Sequence, residues 1–272
     1  MNELDKKLAA LYNELANLGS IVIAFSGGVD STFLAAAAKN VLGDNIVAIT
    51  ACSDSFTGRE IASAKALAKQ LSIKHILLPA TEFDNPLFIN NTSDRCYYCK
   101  KERFLGLLEW ARINGYSWVA EGSNVDDLKD YRPGMKAIKE LGVIKSPLLD
   151  AGFTKSDIRE LSREWGLPTW NQPSAACLVS RLSYGQTITP DKLNQIEQCE
   201  DFLHPYCTGQ VRVRHHGDLA RIEVDIADIT VLASSKHANE ITRYFRKLGF
   251  KYVTLDLAGY RTGSMNDSLK ED

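Results

Sequence analysis

A hydrophobic run, IVIAF at Ile21 to Phe25, passes without a polar spacer into SGGVDS and then into the alanine-rich TFLAAAA. A continuous β-branched run is the pattern of a strand covered on both faces, as in a parallel sheet. Gly27 and Gly28 permit a tight turn at positive φ and let backbone N–H groups approach an anion closely. A helix starting behind them adds the partial positive charge of its N-terminus, and Ser26, Ser31 and Thr32 supply hydroxyls. Asp30 has the wrong sign beside phosphate unless it holds Mg²⁺ or caps the helix. The lysine and spacing of a Walker A loop are missing, and so is the GxGxxG fingerprint. Two readings stand at this point: a phosphate cradle, or a glycine-rich turn closed by a capping serine.

Strand and helix patterns then alternate. Leu8, Leu11, Leu15 and Leu18 lie at helical spacing within 3–18. Further helices are expected over 31–41, 58–71, 99–113 and 155–165, and strands at 46–50, 75–79 and 117–122. This alternation predicts an α/β fold, a doubly wound parallel sheet with helices on both faces. Thr154 opens TKSD, a capping box with Asp in the place of Glu. From Leu167 to Thr189 the periodicity dissolves into LPTWNQPSAACLVSRLSYGQTIT, and an aperiodic stretch of this length in a compact protein is usually functional. A helix at 190–203, strands QVRVRHH and ARIEVDI, a helix at 236–248 and a strand KYVTLDL predict a small C-terminal α+β domain. The expected division is a nucleotide-binding domain at 1–170, an irregular active-site segment at 171–189 and the small domain at 190–272. The final NDSLKED reads as disordered.

With 272 residues and a net charge of -2, the chain carries no global basic field to recruit nucleic acid. Its apolar runs are too short to cross a bilayer, and its charged, amphipathic start lacks the apolar core of a signal peptide. A cytoplasmic protein is expected, in which the six cysteines are thiols, ligands or catalytic groups rather than disulfides. Cys96 and Cys99 form C-x-x-C in DRCYYCKKERF at an expected helix start, and Cys177 lies in the aperiodic segment. A lone CxxC is half a zinc site, a redox pair or part of an iron–sulfur site. No second CxxC exists, and three thiols fit a cluster that leaves one iron open. Cys52, Cys199 and Cys207 read as packing thiols.

Arg212 and Arg214 alternate onto one strand face, where two guanidiniums grip a phosphate unless that face is simply solvated. Ser180 and Arg181 stand next to Cys177, for a phosphate or an acyl oxyanion. His215 and His216 read as turn residues rather than ligands, and Glu200 and Glu223 as a carboxylate patch near the arginines. Lys100 and Lys101 are phosphate contacts or surface helix; Asp126 and Asp127 face the sheet edge or form a solvated turn.

SGGVDS resembles the pyrophosphate-loop signature SGGxDS of the ATP pyrophosphatase superfamily, whose members include GMP synthetase, NAD synthetase, asparagine synthetase and the tRNA thiolases. The resemblance implies ATP and Mg²⁺ at Ala24, Ser26, Gly27, Gly28, Asp30, Ser31, Ser53 and Gly122, with AMP transferred to a substrate oxygen and pyrophosphate released. From the N-terminal helix through SGGVDS, EGSNVDD and PSAACLVSR to VRVRHHGDLARIEV, the whole chain resembles the LarE family, the ATP-dependent sulfur transferases of lactate racemase maturation. This likeness implies adenylation of a carboxylate of a pyridinium dicarboxylate mononucleotide, then thiolation to a thiocarboxylate for a nickel-pincer nucleotide. Cys177 matches the family's sulfur-bearing cysteine. One branch sacrifices that sulfur and ends with dehydroalanine; another adds a CxxC, so that three cysteines ligate a 4Fe-4S cluster. Cys96, Cys99 and Cys177 match the second branch. The implied catalytic residues are Cys177, Asp30 and Arg181, with Ser180, Arg212 and Arg214 on the substrate phosphate. A sulfide donor and a homo-oligomer formed through the C-terminal domain are implied as partners, without nucleic acid or membrane. The competing readings are a tRNA thiolase, which the slightly acidic charge disfavours, and a zinc-stabilised regulatory module without turnover.

Overall fold

Asn2 accepts a hydrogen bond from the Asp5 backbone N–H, and Asp5 accepts one from that of Asn2, a capping box that starts α1 (Glu3–Leu18). The computed structural model describes residues 2–129, 133–173, 176–261 and 263–265. After α1 it runs through β1 (Ile21–Ala24), α2 (Val29–Leu42), β2 (Ile46–Cys52), α3 (Gly58–Gln70), β3 (His75–Pro79) and the single turn α4 (Pro86–Ile89). Then come α5 (Arg95–Ile113), β4 (Trp118–Ala120), α6 (Pro133–Leu141), β5 (Ile144–Lys145), α7 (Pro147–Asp150) and α8 (Lys155–Glu164).

The five strands pair in parallel in the order β3-β2-β1-β4-β5. Successive side chains of a strand face opposite sides, so Ile21 and Ile23 join Leu11, Leu15, Phe33, Leu34 and Leu161 on one face. Val22 joins Val47, Phe104, Leu107 and Ile138 on the other. That is why IVIAF shows no polar alternation: both faces are dry, each buried side chain contributing about 1.5–3 kcal/mol. The strand order reverses between β1 and β4. In a doubly wound sheet that switch point opens a crevice at the carboxyl ends of the strands.

The chain divides into two compact units. The second takes residues from Ala176 onward and borrows Ile89–Ser93 from the middle of the first. Within it Asn91, fully buried, donates its amide to the Ser183 carbonyl and accepts the Gly185 N–H. Its elements are α9 (Pro190–Leu203), β6 (Val211–His216), β7 (Leu219–Val224), α10 (Ile226–Leu232), α11 (Ser235–Lys247) and β8 (Tyr252–Leu255). β6 and β7 are antiparallel, and β7 and β8 parallel. Val211, Val213, Ala220, Ile222 and Val224 pack with Phe245 and Phe250.

Several expectations are corrected. The helix expected at 99–113 begins at Arg95, so the whole CxxC lies inside it. His215 and His216 are strand residues, not turn residues. His215 is buried with its ring between the side-chain oxygens of Gln186 and Gln195, and burial pushes it down to about 4. The face that carries Arg212 and Arg214 is buried, not solvated. α6, β5, α7 and α10 escaped the periodicity because each is short, and α6 opens on Pro133 and Gly134. Among the described residues no helix is long and apolar enough to cross a membrane.

Candidate active site

The loop between β1 and α2 is closed by its own hydroxyls. Ser31 donates to the Gly28 carbonyl (3.2 Å), the Ser26 and Ser31 hydroxyls lie 3.1 Å apart, and the Gly28 N–H points at Ser26 Oγ (3.3 Å). Gly27 has φ +72°, and a side chain there would press on the Ala64 backbone at 3.2 Å. Gly28 is the N-cap of α2 and receives no side-chain cap. The helix N-terminus therefore presents backbone N–H groups and partial positive charge to an incoming anion.

The residues after β4 complete this edge. A Cβ on Gly122 would lie 3.1 Å from both the Asp30 carbonyl carbon and the Ser31 nitrogen, so only glycine lets the two segments meet. Asn124 donates to Asp30 Oδ1 (3.3 Å), and Lys155 Nζ lies 2.6 Å from Asp30 Oδ2. Lys155 opens α8, which Thr154 caps through a capping box with Asp157. Asp126 and Asp127 are neither a solvated turn nor free carboxylates at the edge. Asp126 accepts the Lys155 N–H, and Asp127 accepts the Asn124 N–H.

Ser53, at the end of β2, belongs to a separate network. It donates to the fully buried Glu82, which also receives Ser55 and Arg103; Arg103 in turn stacks on Phe56. Burial pushes the Glu82 carboxyl up, but Arg103 and Ser53 outweigh it and hold it below its ordinary value. Cys96 and Cys99 sit in the first turns of α5, one exposed and one half-buried. Residues three apart on a helix are neighbours on its surface. Lys100 reaches Glu121 at 3.5 Å, and Lys101 hydrogen-bonds Tyr97 at 3.0 Å.

The second unit gathers the other expected residues. Cys177 is exposed, at the start of a short turn of helix over Leu178–Arg181. Arg181 is buried, donates to the carbonyls of Ala176 and Cys177 and to Ser180 Oγ, and forms a two-point ion pair with Glu200 at 2.9 Å. Glu200 also accepts the Val213 N–H. Arg214 pairs with Glu223 at 2.7 Å and donates to the Ser180 carbonyl at 3.3 Å. Arg212 stands opposite Glu223 in the β6–β7 register, yet its only side-chain hydrogen bond among the described residues is to the Val211 carbonyl, and no carboxylate lies at ion-pair distance. Burial and then Arg181 pull its pKa below the ordinary arginine value. This is a buried cation without a carboxylate partner among the described residues. Cys199 is fully buried and burial raises its thiol, while Cys207 is pushed up to about 11; both are inert, as packing thiols should be.

A family model described as NAD synthase matches residues 2–95. The chain is 42% identical over 266 residues to an uncharacterized protein of Synechocystis, covering 98% of this chain and 99% of that one. It is 40% identical over 273 residues to the pyridinium-3,5-bisthiocarboxylic acid mononucleotide synthase of Lactiplantibacillus plantarum, covering 99% of this chain and 97% of that one. The chain belongs to the LarE family. A more remote likeness, 27% identical over 226 residues and 61% of the relative's length, is to the tRNA-specific 2-thiouridylase of Rickettsia peacockii.

Membership places this LarE protein among the ATP-dependent pyrophosphate-loop enzymes, in agreement with its parallel sheet and the loop at its switch point. Asn124 and Lys155 were missed from the sequence. Their contacts with Asp30 span 94 and 125 residues, and although EGSNVDD and TKSD contain them, neither stretch shows that its side chain reaches Asp30. Cys96 and Cys99 are two neighbouring, accessible soft thiols, the donor type iron–sulfur clusters take. Among the described residues no group of three or more His, Cys, Asp or Glu side chains is placed to hold a metal ion.

Proposed function

We propose that this protein is a Mg²⁺·ATP-dependent sulfur transferase. It adenylates a carboxylate of a pyridinium dicarboxylate mononucleotide and converts it to a thiocarboxylate, a precursor of a nickel-pincer nucleotide. The observation that carries this reading is the similarity of nearly the whole chain to the bisthiocarboxylic acid mononucleotide synthase, where the thiouridylase is matched over only 61% of its length. The unpaired Arg212 supports it from the substrate side.

In the first step a substrate carboxylate oxygen attacks the α-phosphorus of ATP, the bond from that phosphorus to the β-phosphate oxygen breaks, and pyrophosphate leaves. Ala24, Ser26, Gly27, Gly28, Ser31 and Gly122 shape the cradle, Ser53 borders the nucleoside, and Asp30 would hold Mg²⁺. Lys155, beside Asp30, would neutralise charge on the departing pyrophosphate. In the second step a sulfur nucleophile at the sulfide level attacks the acyl carbon and AMP leaves, so no oxidant or reductant is consumed. Arg212 and Arg214 bind the substrate phosphate with Ser180, and Arg181 fixes the backbone at Cys177. Cys96, Cys99 and Cys177 would hold a 4Fe-4S cluster, which supplies an iron without a cysteine ligand on which a sulfide can be carried. The enzyme works in the cytoplasm with a sulfide donor. The exposed Ile226, Tyr252 and Leu257 support assembly into a homo-oligomer through the second unit.

The test is exchange of labelled pyrophosphate into ATP. Exchange should require both Mg²⁺ and the pyridinium-3,5-dicarboxylate mononucleotide. Its absence when both are present would overturn the reading, and salt-sensitive tRNA binding in its place would favour a tRNA thiolase.

A further inference from the structure

Glu223 is fully buried in β7, and both of its carboxylate oxygens are occupied. Arg214 holds one at 2.7 Å and Arg221 the other at 3.0 Å, while the Ser264 hydroxyl lies 2.9 and 3.1 Å from the two. Arg212 stands directly across the ladder from Glu223 yet has no share in it. A charged side chain only 9% exposed is ordinarily paired. This guanidinium has instead the Val211 carbonyl at 2.7 Å and the ring of Tyr260, whose centroid lies 5.4 Å from its central carbon. A cation within about 6 Å of an aromatic centroid is attracted to the face of the ring.

Tyr260 and Ser264 belong to the segment that follows β8. Its main chain is fastened to the second unit independently of the ring: the Tyr260 N–H donates to the Val224 carbonyl at 2.8 Å, and the Gly259 N–H to the Asp256 carbonyl at 3.1 Å. Removing the ring breaks none of these bonds.

We propose that Tyr260 is a positioning residue for the substrate: its ring holds the Arg212 guanidinium ready to receive the phosphate of the mononucleotide. The proposal rests on the reading above that Arg212 meets that phosphate. A ring face steadies a cation without a formal negative charge, so an arriving phosphate has no carboxylate to expel. Arg212 keeps its planar fork of donors for a two-point contact, and a side chain already ordered loses less freedom on binding. The saturation of Glu223 by Arg214, Arg221 and Ser264 serves the same end, because it occupies the carboxylate that stands in register with Arg212.

The test is the KM of ATP–pyrophosphate exchange in the full-length protein, for the pyridinium-3,5-dicarboxylate mononucleotide and for the corresponding riboside, which lacks the phosphate. Tyr260→Leu should raise the mononucleotide KM about fivefold while the maximal rate changes by less than about twofold. The riboside KM should not move, and Tyr260→Phe, which keeps the ring, should match the wild type. In an Arg212→Gln background Tyr260→Leu should add nothing, since the cation it positions is gone. Thermal melting checks that the leucine variant folds, and Tyr260→Met carries the same test if it does not. A mononucleotide KM unmoved by Tyr260→Leu, an equal rise for the riboside, or a full further rise in the Arg212→Gln background overturns the proposal and leaves the functional reading standing. A mononucleotide KM unmoved by Arg212→Gln, or no exchange in the wild type, overturns that reading of the site and the proposal with it.

Discussion

The Lys155 ammonium lies 2.6 Å from the Asp30 carboxylate, across 125 residues of sequence. The carboxylate that would hold the nucleotide's metal already has a cation, and that cation sits at the N-terminus of a capped helix. Magnesium must compete with it.

Lys155→Met should therefore separate two effects. Removing a positive group aimed at the departing pyrophosphate should slow ATP–pyrophosphate exchange by about 10²-fold. The Mg²⁺ concentration for half-maximal exchange should fall, because nothing competes for Asp30. A magnesium titration of both proteins reads the sign directly, and a higher requirement in the variant would contradict the competition.

The glycines of the site should respond differently to alanine. At Gly122 a methyl meets backbone atoms of α2 at 3.1 Å, and overpacking of that kind costs about 1–3 kcal/mol. Thermal melting should show it. At Gly28 a methyl meets only Ser26 Oγ at 3.4 Å, in extended backbone that alanine adopts freely. Gly28→Ala should melt like the wild type yet bind ATP weakly in calorimetry, because the methyl stands where phosphate approaches.

Arg212 and Arg214 share a strand face but differ in what they pair with. Arg214→Gln strips a partner from the fully buried Glu223 and should cost about 3 kcal/mol. Arg212 has no carboxylate partner among the described residues to abandon, and burial with Arg181 nearby already works against its charge. Arg212→Gln should melt at or above the wild-type temperature while the KM for the mononucleotide rises. Denaturation curves and steady-state kinetics on the two variants check both statements.

Glu14 on α1 has its carboxyl raised to about 7, by burial first and then by the neighbouring Asp150. The folded protein thus binds a proton that the unfolded chain releases near pH 4.5. Stability should fall as pH rises from about 4.5 to 7, with the full penalty above 7. Glu14→Gln should remove this dependence and stabilise the protein at pH 8 by about 1–2 kcal/mol after allowance for its partial exposure. Urea denaturation at pH 5 and pH 8 measures it.

The fold was legible wherever local pattern and tertiary environment agree. IVIAF announced a strand buried on both faces, TKSD announced the start of α8, and SGGVDS placed the loop between strand and helix. The pattern failed where elements are too short to show a period, as in β5 and α7, or where polar residues face a buried layer, as in β6. VRVRHH alternates as a half-wet strand would, yet an ion pair at Arg214 and aromatic contacts at Arg212 and His215 keep them dry. The site was half legible for a similar reason. Glycines and serines that act through their neighbours announce their role in the motif; Lys155 in TKSD and Asn124 in EGSNVDD reach Asp30 across many residues, which no local pattern encodes.

A cluster held by Cys96, Cys99 and Cys177, as proposed, would make the enzyme reusable and not sacrificial. The most direct test is the number of thiocarboxylates formed per chain when anaerobically purified protein turns over with ATP, Mg²⁺, the mononucleotide and sulfide, with the mass of the Cys177 peptide read at the end. A reusable enzyme gives more than one per chain, bound iron and an intact Cys177. A yield that stops at one, with dehydroalanine at position 177 and no iron, would contradict it.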